Sequence, residues 1–284
     1  MADLVRQRLA ELGWVEGKNL VVDCLSTLDP DKLRSLARQL IGRRPDVLVS
    51  TPLAYVRTLK EETSSIPIVM VATTDPVENG LITNLARPEG NLTGLASSTP
   101  QLIAKRVDLL KELLPRLARF AVIYPSRRPG ATYPDRVREN VTLAATKLGI
   151  TWQAFQINGP EELDSMFAQL GAESFDAVYM PPNPMFYGRQ KRIVELAQQY
   201  RIATVSDTSE FAQSGFLLTY GAEPASLWLR GAEFVDKILR GAQPGDLPVE
   251  QPARFNLVIN QKTAKWLDIA VPPSMLARAD EVIE

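Results

Sequence analysis

The feature that most constrains this chain is a regular alternation. Short β-branched runs exchange with segments whose apolar residues recur every three or four positions. The pattern predicts strands over 20–23, 46–50, 66–71, 92–96, 120–124, 150–157, 175–180, 202–206, 216–220 and 254–260. The runs Val47-Leu48-Val49 and Ile68-Val69-Met70-Val71 are continuously apolar. That is the mark of parallel strands covered by helices on both faces. The helices are punctuated clearly. Asp29-Pro30 supplies an N-cap and an N1 proline before Leu33, Leu36, Ala37, Leu40 and Ile41, and Gly42 ends the segment. Thr99-Pro100 repeats the start signal before Ile103, Val107, Leu110 and Leu114.

Strand–helix alternation implies right-handed βαβ units, and so an α/β fold of doubly wound parallel sheets. Two blocks are expected: a first lobe over 1–115 and a second over 116–220, meeting at Leu114-Pro115-Arg116. Residues 221–284 form a tail that returns across the hinge, with its lobe left open.

Composition narrows the chemistry by what is missing. The chain has no histidine and a single cysteine, Cys24. Ser-His-Asp and Cys-His nucleophile systems, the usual His/Cys zinc sites and disulfides are therefore excluded. Cys24 ends the apolar run Leu20-Val21-Val22 and reads as a small buried group. The formal charge of -1 gives no basic face for nucleic acid. No run approaches the roughly 18 apolar residues of a membrane span. Residues 1–12 read as a charged amphipathic helix, not as a signal peptide. Dinucleotide, P-loop and nucleophile-elbow fingerprints are absent, so no cofactor or metal is expected.

Ligands of open α/β sheets lie beyond the carboxyl ends of the strands. The loops that follow the expected strands are rich in hydroxyls, amides and prolines. Ser50 and Thr51, before Pro52, combine hydroxyls with a helix start that suits an anion, although Thr51 alone would serve as a cap. Thr73 and Asp75 lie in Thr73-Thr74-Asp75-Pro76, where Asp75 either caps a turn or accepts from a ligand ammonium. Arg127, beside Arg128, either grips a carboxylate or stays a solvated loop residue. Asn183 and Asp207 follow later strands. Tyr124, Tyr133, Phe186, Tyr187, Phe211 and Tyr220 are the aromatic residues nearest strand ends. Two or three of them facing the ligand would make a stacking slot.

Several stretches also carry a family likeness: Gly13-Trp14-Val15-Glu16-Gly17-Lys18-Asn19, Ile66-Pro67-Ile68-Val69 with Asp75-Pro76, and 85–94. The same holds for Phe255-Asn256-Leu257-Val258-Ile259-Asn260 and 271–280. In order and spacing these resemble the ABC transporter substrate-binding family that includes tryptophan-binding lipoproteins, within the type I periplasmic binding proteins. The resemblance implies two hinged lobes, a small solute such as an amino acid or aromatic carboxylate enclosed between them, and no catalysis. It also implies a membrane permease as partner and a periplasmic or membrane-tethered location. By position, its ligand loops fall on Ser50-Thr51 and Asp75, and near Tyr124, Asn183 and Asp207.

Two departures stand out. Relatives carry an export signal and a β-strand before the helix that opens this chain, so the first strand of lobe 1 is expected to be missing. That would leave strand edges exposed, lower stability or invite a partner chain to form a dimer. Relatives also more often have an Asn/Pro-rich loop where Arg127-Arg128 stand here. Two other readings share this fold class: the effector-sensing domain of a transcription regulator, and an α/β transferase.

Overall fold

A computed structural model describes residues 2–27, 29–97, 99–125 and 133–284. In chain order the elements begin with α1 (Ala2–Glu11), α2 (Pro30–Gly42), β1 (Leu48–Ser50), α3 (Leu53–Glu62), β2 (Ile68–Thr74) and β3 (Leu92–Ser97). Next come α4 (Thr99–Leu113), β4 (Arg119–Pro125), α5 (Tyr133–Leu148), β5 (Thr151–Ile157), α6 (Leu163–Ala172) and β6 (Ala177–Tyr179). Then follow α7 (Pro184–Tyr187), α8 (Gln190–Tyr200), β7 (Ala203–Ser206), α9 (Ser209–Ser214), β8 (Leu218–Gly221) and α10 (Pro224–Leu239). The chain closes with β9 (Asn256–Asn260), α11 (Gln261–Trp266), α12 (Pro273–Arg278) and β10 (Glu281–Ile283).

These elements form two compact units, residues 1–98 with 223–253 and residues 99–222 with 254–284. The first boundary thus precedes α4, where the proline at 115 had pointed to its end. The reason is packing. The apolar stripe Ile103, Val107 and Leu110 is buried in the same core as Phe120, Val122 and Tyr124. A helix follows the sheet that buries its stripe, whatever its place in the sequence. The tail splits as well: α10 joins the first unit, and β9 to β10 join the second.

In the first unit the sheet order is β1-β2-β3, all parallel. Asp29 caps α2 as expected, its carboxylate accepting from the Asp31 N–H. Ile68, Val69, Met70 and Val71 are fully buried. Ile68 and Met70 pack with Ala37, Val56 and Leu59 of α2 and α3, while α10 lies against β2. Both faces are covered, which explains the unbroken apolar run. Gly94 of β3 has φ +125, and a Cβ there would meet the Met70 carbonyl oxygen at 2.1 Å. Only glycine fits that approach. Beyond β3, the chain at Glu250 bridges Leu95, donating to the Gly94 carbonyl and accepting from the Ala96 N–H.

The strand expected over 20–23 does not form. Leu20 makes an isolated bridge with Glu16, and Val21 is 86% exposed. Cys24, read as buried, is exposed for the same reason: no paired neighbour holds its segment in a sheet. β1 pairs with β2, and among the described residues no strand pairs with its other edge.

In the second unit the sheet order is β10-β9-β8-β7-β6-β4-β5. β4 pairs with β5 on one side and β6 on the other, so the direction of winding reverses between β4 and β6. One departure from an all-parallel sheet appears: β9 runs antiparallel to β8. β9 enters from the other unit, not from a βα crossover, so nothing forces it parallel.

Candidate functional site

Each unit presents a polar rim at the carboxyl ends of its parallel strands. In the first unit that rim is built around a bulge. Register slips between Met70 and Thr73, and Ala72 takes a left-handed φ of 55. Such a backbone conformation costs on the order of 1–3 kcal/mol in a non-glycine residue, and it re-aims the side chains that follow. Thr73, fully buried, donates its hydroxyl to the Thr51 carbonyl at 2.9 Å. This ties the loop after β1 to the end of β2. The Thr74 and Ser97 hydroxyls meet at 3.2 Å. Asp75, half-buried with φ 41, opens a turn whose Asn79 amide donates to the Thr74 and Asp75 carbonyls at 3.3 and 3.0 Å.

Ser50 and Thr51 are half-buried at the end of β1. The N-cap of α3 is Pro52, with no side-chain hydrogen bond capping the helix. The capping role weighed for Thr51 is therefore not taken up. The first N–H groups of α3 lack a side-chain cap, beside the hydroxyls of the β1 loop.

In the second unit the centre of the rim is a buried charge pair. Arg106 on α4 is 1% exposed and Asp207, just after β7, is 5% exposed. Arg106 Nη1 lies 3.1 Å from Asp207 Oδ1. The Tyr179 hydroxyl, at the end of β6, donates to the same oxygen at 2.7 Å. Arg106 Nε donates to the Tyr220 carbonyl at 2.7 Å, and its guanidinium lies 5.5 Å from the centre of the Tyr179 ring. One arginine thereby joins the ends of β6, β7 and β8. The approach requires Gly221, where a Cβ would meet the Asp207 carbonyl oxygen at 2.1 Å.

The remaining expected residues separate into two groups. Asn183 caps the turn of α7 through its side-chain oxygen, which accepts from the Met185 N–H at 3.0 Å. Tyr220 is half-buried, with its ring 6.0 Å from Phe255. Tyr124, at 6% exposure, belongs to the core cluster of α4 and α5. Phe186 is fully buried among Phe211, Phe216 and Ile193. Its ring packs in that core, whereas the neighbouring Tyr187 of α7 is exposed. Tyr187 is 42% exposed, packs on Phe211 at 4.9 Å and shares a hydrogen bond with the Thr208 hydroxyl at 3.2 Å. Burial of its hydroxyl pushes the phenol up to about 12, so it stays neutral at physiological pH. Arg127 lies outside the described residues, as does the side chain of Tyr133.

Arg106 and Tyr179 escaped the reading of the sequence. Both left a trace. Arg106 falls three residues after Ile103 and four before Leu110, an arginine inside an apolar stripe. Tyr179 sits in a run whose burial obliges its hydroxyl to find a partner.

Two open cavities lie elsewhere. One of about 390 Å³ borders Trp14, Asp46, Pro67 and Gln243 in the first unit. The other, of about 270 Å³, borders Arg116, Asp176, Arg201 and Leu267 in the second. Asp46, Pro67 and Asp176 precede strands, so both cavities open at amino ends and hold none of the rim residues. Among the described residues, no group of three His, Cys, Asp or Glu side chains is placed to hold a metal ion.

The family profile for ABC transporter substrate binding proteins matches residues 3–283. The chain belongs to that family. A tyrosine-binding protein of Clostridioides difficile (strain R20291) is 26% identical over 269 residues, 92% of this chain and 74% of that one. Among solved structures, the ABC domain in complex with L-Trp from Streptococcus pneumonia matches with a TM-score of 0.90 and 26% identity. That match covers 99% of this chain and 95% of the other. A conserved domain protein from Vibrio cholerae reaches 0.89 at 30% identity, covering 99% and 94%. This ABC transporter substrate-binding protein therefore has a type I periplasmic-binding-protein-like fold, as its sequence motifs implied.

Proposed function

We propose that this substrate-binding protein is the solute receptor of an ABC import system and captures an amino acid or aromatic carboxylate without altering it. The observation that carries the reading is the buried Arg106–Asp207–Tyr179 group, which fixes a carboxylate at the carboxyl edge of the second unit's sheet. The Asp207 carboxylate, oriented by these two partners, would accept hydrogen bonds from the ammonium end of a ligand. The Ser50 and Thr51 hydroxyls, with the uncapped start of α3, offer donors to a ligand carboxylate. Thr73, Asp75, Asn183 and Tyr220 complete the two rims. Closure of the two lobes about a hinge would bring the rims onto opposite ends of one solute. The Trp-bound and tyrosine-binding relatives support an amino acid. The permease partner, an extracytoplasmic location and the absence of catalysis follow from the same reading. A strand from a second chain along the open edge of β1 belongs to it as well, and would show as a dimer by light scattering.

The test is a thermal-shift screen against amino acids, aromatic acids, sugars and amides. A ligand at a thousandfold excess over Kd should stabilise the fold by about 4 kcal/mol, and hits should be recovered chemically unchanged. A folded sample that answers to no solute class, or that returns a modified compound, rejects the receptor reading.

A further inference from the structure

We propose that Tyr187 is the platform against which the ring of the ligand stacks, and so the residue that makes this receptor prefer aromatic over aliphatic amino acids. The inference rests on the receptor reading above and adds the determinant of specificity.

Most aromatic rings of the second unit are spent on its core: Phe120, Phe155, Phe167, Phe175, Phe211 and Phe216 are buried. Tyr187 is 42% exposed, and it stands on α7, directly after the β6 loop. That loop flanks the reversal of winding between β4 and β6, where an open α/β sheet offers its crevice.

The ring is held, not loose. One side packs on Phe211, with centroids 4.9 Å apart at an interplanar angle of 48°. Phe211 in turn meets Phe216 edge-on at 4.9 Å. The hydroxyl is fixed at 3.2 Å from Thr208 Oγ1. A backed ring loses little freedom when a second ring covers it, so the contact adds to affinity instead of being spent on ordering. An aromatic partner laid on the exposed part of the ring gains both buried area and ring–ring geometry.

The neighbouring charge fixes which aromatic ligands fit. Thr208 follows Asp207 in sequence, so the platform and the Arg106-held carboxylate share one edge. A ligand carrying an ammonium beside a ring satisfies both at once, as an aromatic amino acid does. A benzoate-type acid satisfies only the ring.

The experiment is calorimetric titration of the full chain with L-tryptophan, L-tyrosine and L-leucine. The expected result is that wild type prefers an aromatic amino acid to leucine. Tyr187→Ala should weaken aromatic binding by about tenfold and flatten the preference. Tyr187→Leu, which keeps apolar cover over Phe211, should lose the preference in the same way. Tyr187→Phe should recover most of the affinity, because the ring and not the hydroxyl is the contact. Full aromatic affinity in both Tyr187→Ala and Tyr187→Leu overturns the proposal, as does a wild type that prefers leucine. A wild type that ignores all three amino acids but is stabilised by a sugar or an amide also overturns it, while leaving the receptor reading intact. Failure to bind any solute removes both.

Discussion

Arg106 Nη1 and Asp207 Oδ1 lie 3.1 Å apart in the second unit, their side chains 1% and 6% exposed. The pair is separated by about a hundred positions in the chain, yet it locks the ends of β6, β7 and β8 to α4 through Tyr179 and the Tyr220 carbonyl. Burying two charges gains little net stability over an apolar pair of the same shape, whereas breaking such a pair is costly.

Replacing Arg106 with Met leaves the Asp207 carboxylate buried without its guanidinium. Stability to urea should fall by about 3–5 kcal/mol, and much of the loss should return in Arg106→Met combined with Asp207→Leu. The double variant should nonetheless fail to bind the solute. Ligand affinity in it equal to wild type would remove Asp207 from the site.

Gly221→Ala places a Cβ where the Asp207 carbonyl oxygen now sits, at 2.1 Å. The backbone must shift, at a cost of about 1–3 kcal/mol. A thermal midpoint equal to that of wild type would show that this approach is not tight in solution.

Thr73→Val keeps shape but deletes the donor to the Thr51 carbonyl. The expected loss is about 1 kcal/mol of stability, with a weaker solute affinity because the β1 loop is released. Thr51→Leu should cost about 1–3 kcal/mol in affinity if its hydroxyl bonds a charged end of the ligand. Calorimetry giving wild-type affinity for Thr51→Leu would retire that contact.

Glu250 is held below its ordinary value near 4.5, first by its hydrogen bond with Arg230, with Lys237 aiding and Glu233 opposing. A carboxyl held low in the fold contributes stability that is complete above its unfolded value and fades as pH falls through the folded one. Urea midpoints should therefore drop on acidification below about pH 4.5, and Glu250→Gln should flatten that drop. The pair is partly exposed, so its share stays under about 1 kcal/mol. An identical pH dependence in Glu250→Gln and wild type would assign the acid sensitivity to other groups.

The architecture was legible to the extent that it is local. The apolar run Ile68 to Val71 and the cap at Asp29-Pro30 announce a buried strand and a helix start, and both form. Where pairing decides, the sequence misled: Leu20-Val21-Val22 has strand composition, yet without a paired neighbour it stays open and leaves Val21 and Cys24 exposed. Loop position picked out Asp207 and the β1 loop as rim residues. It also picked Phe186, which faces the core, because which ring of a turn points outward depends on the helix that the turn becomes.

The sequence by itself determined the βαβ periodicity, the exclusion of histidine-based chemistry and the family. Each rests on residue type and near-neighbour spacing, which the chain carries in linear form. Only the tertiary structure decided that α4 belongs with the second unit, that Arg106 meets Asp207, and that Tyr187 keeps its ring in the open on Phe211. Those facts depend on which surfaces bury one another across long separations, and pairings of that kind leave no period in the sequence.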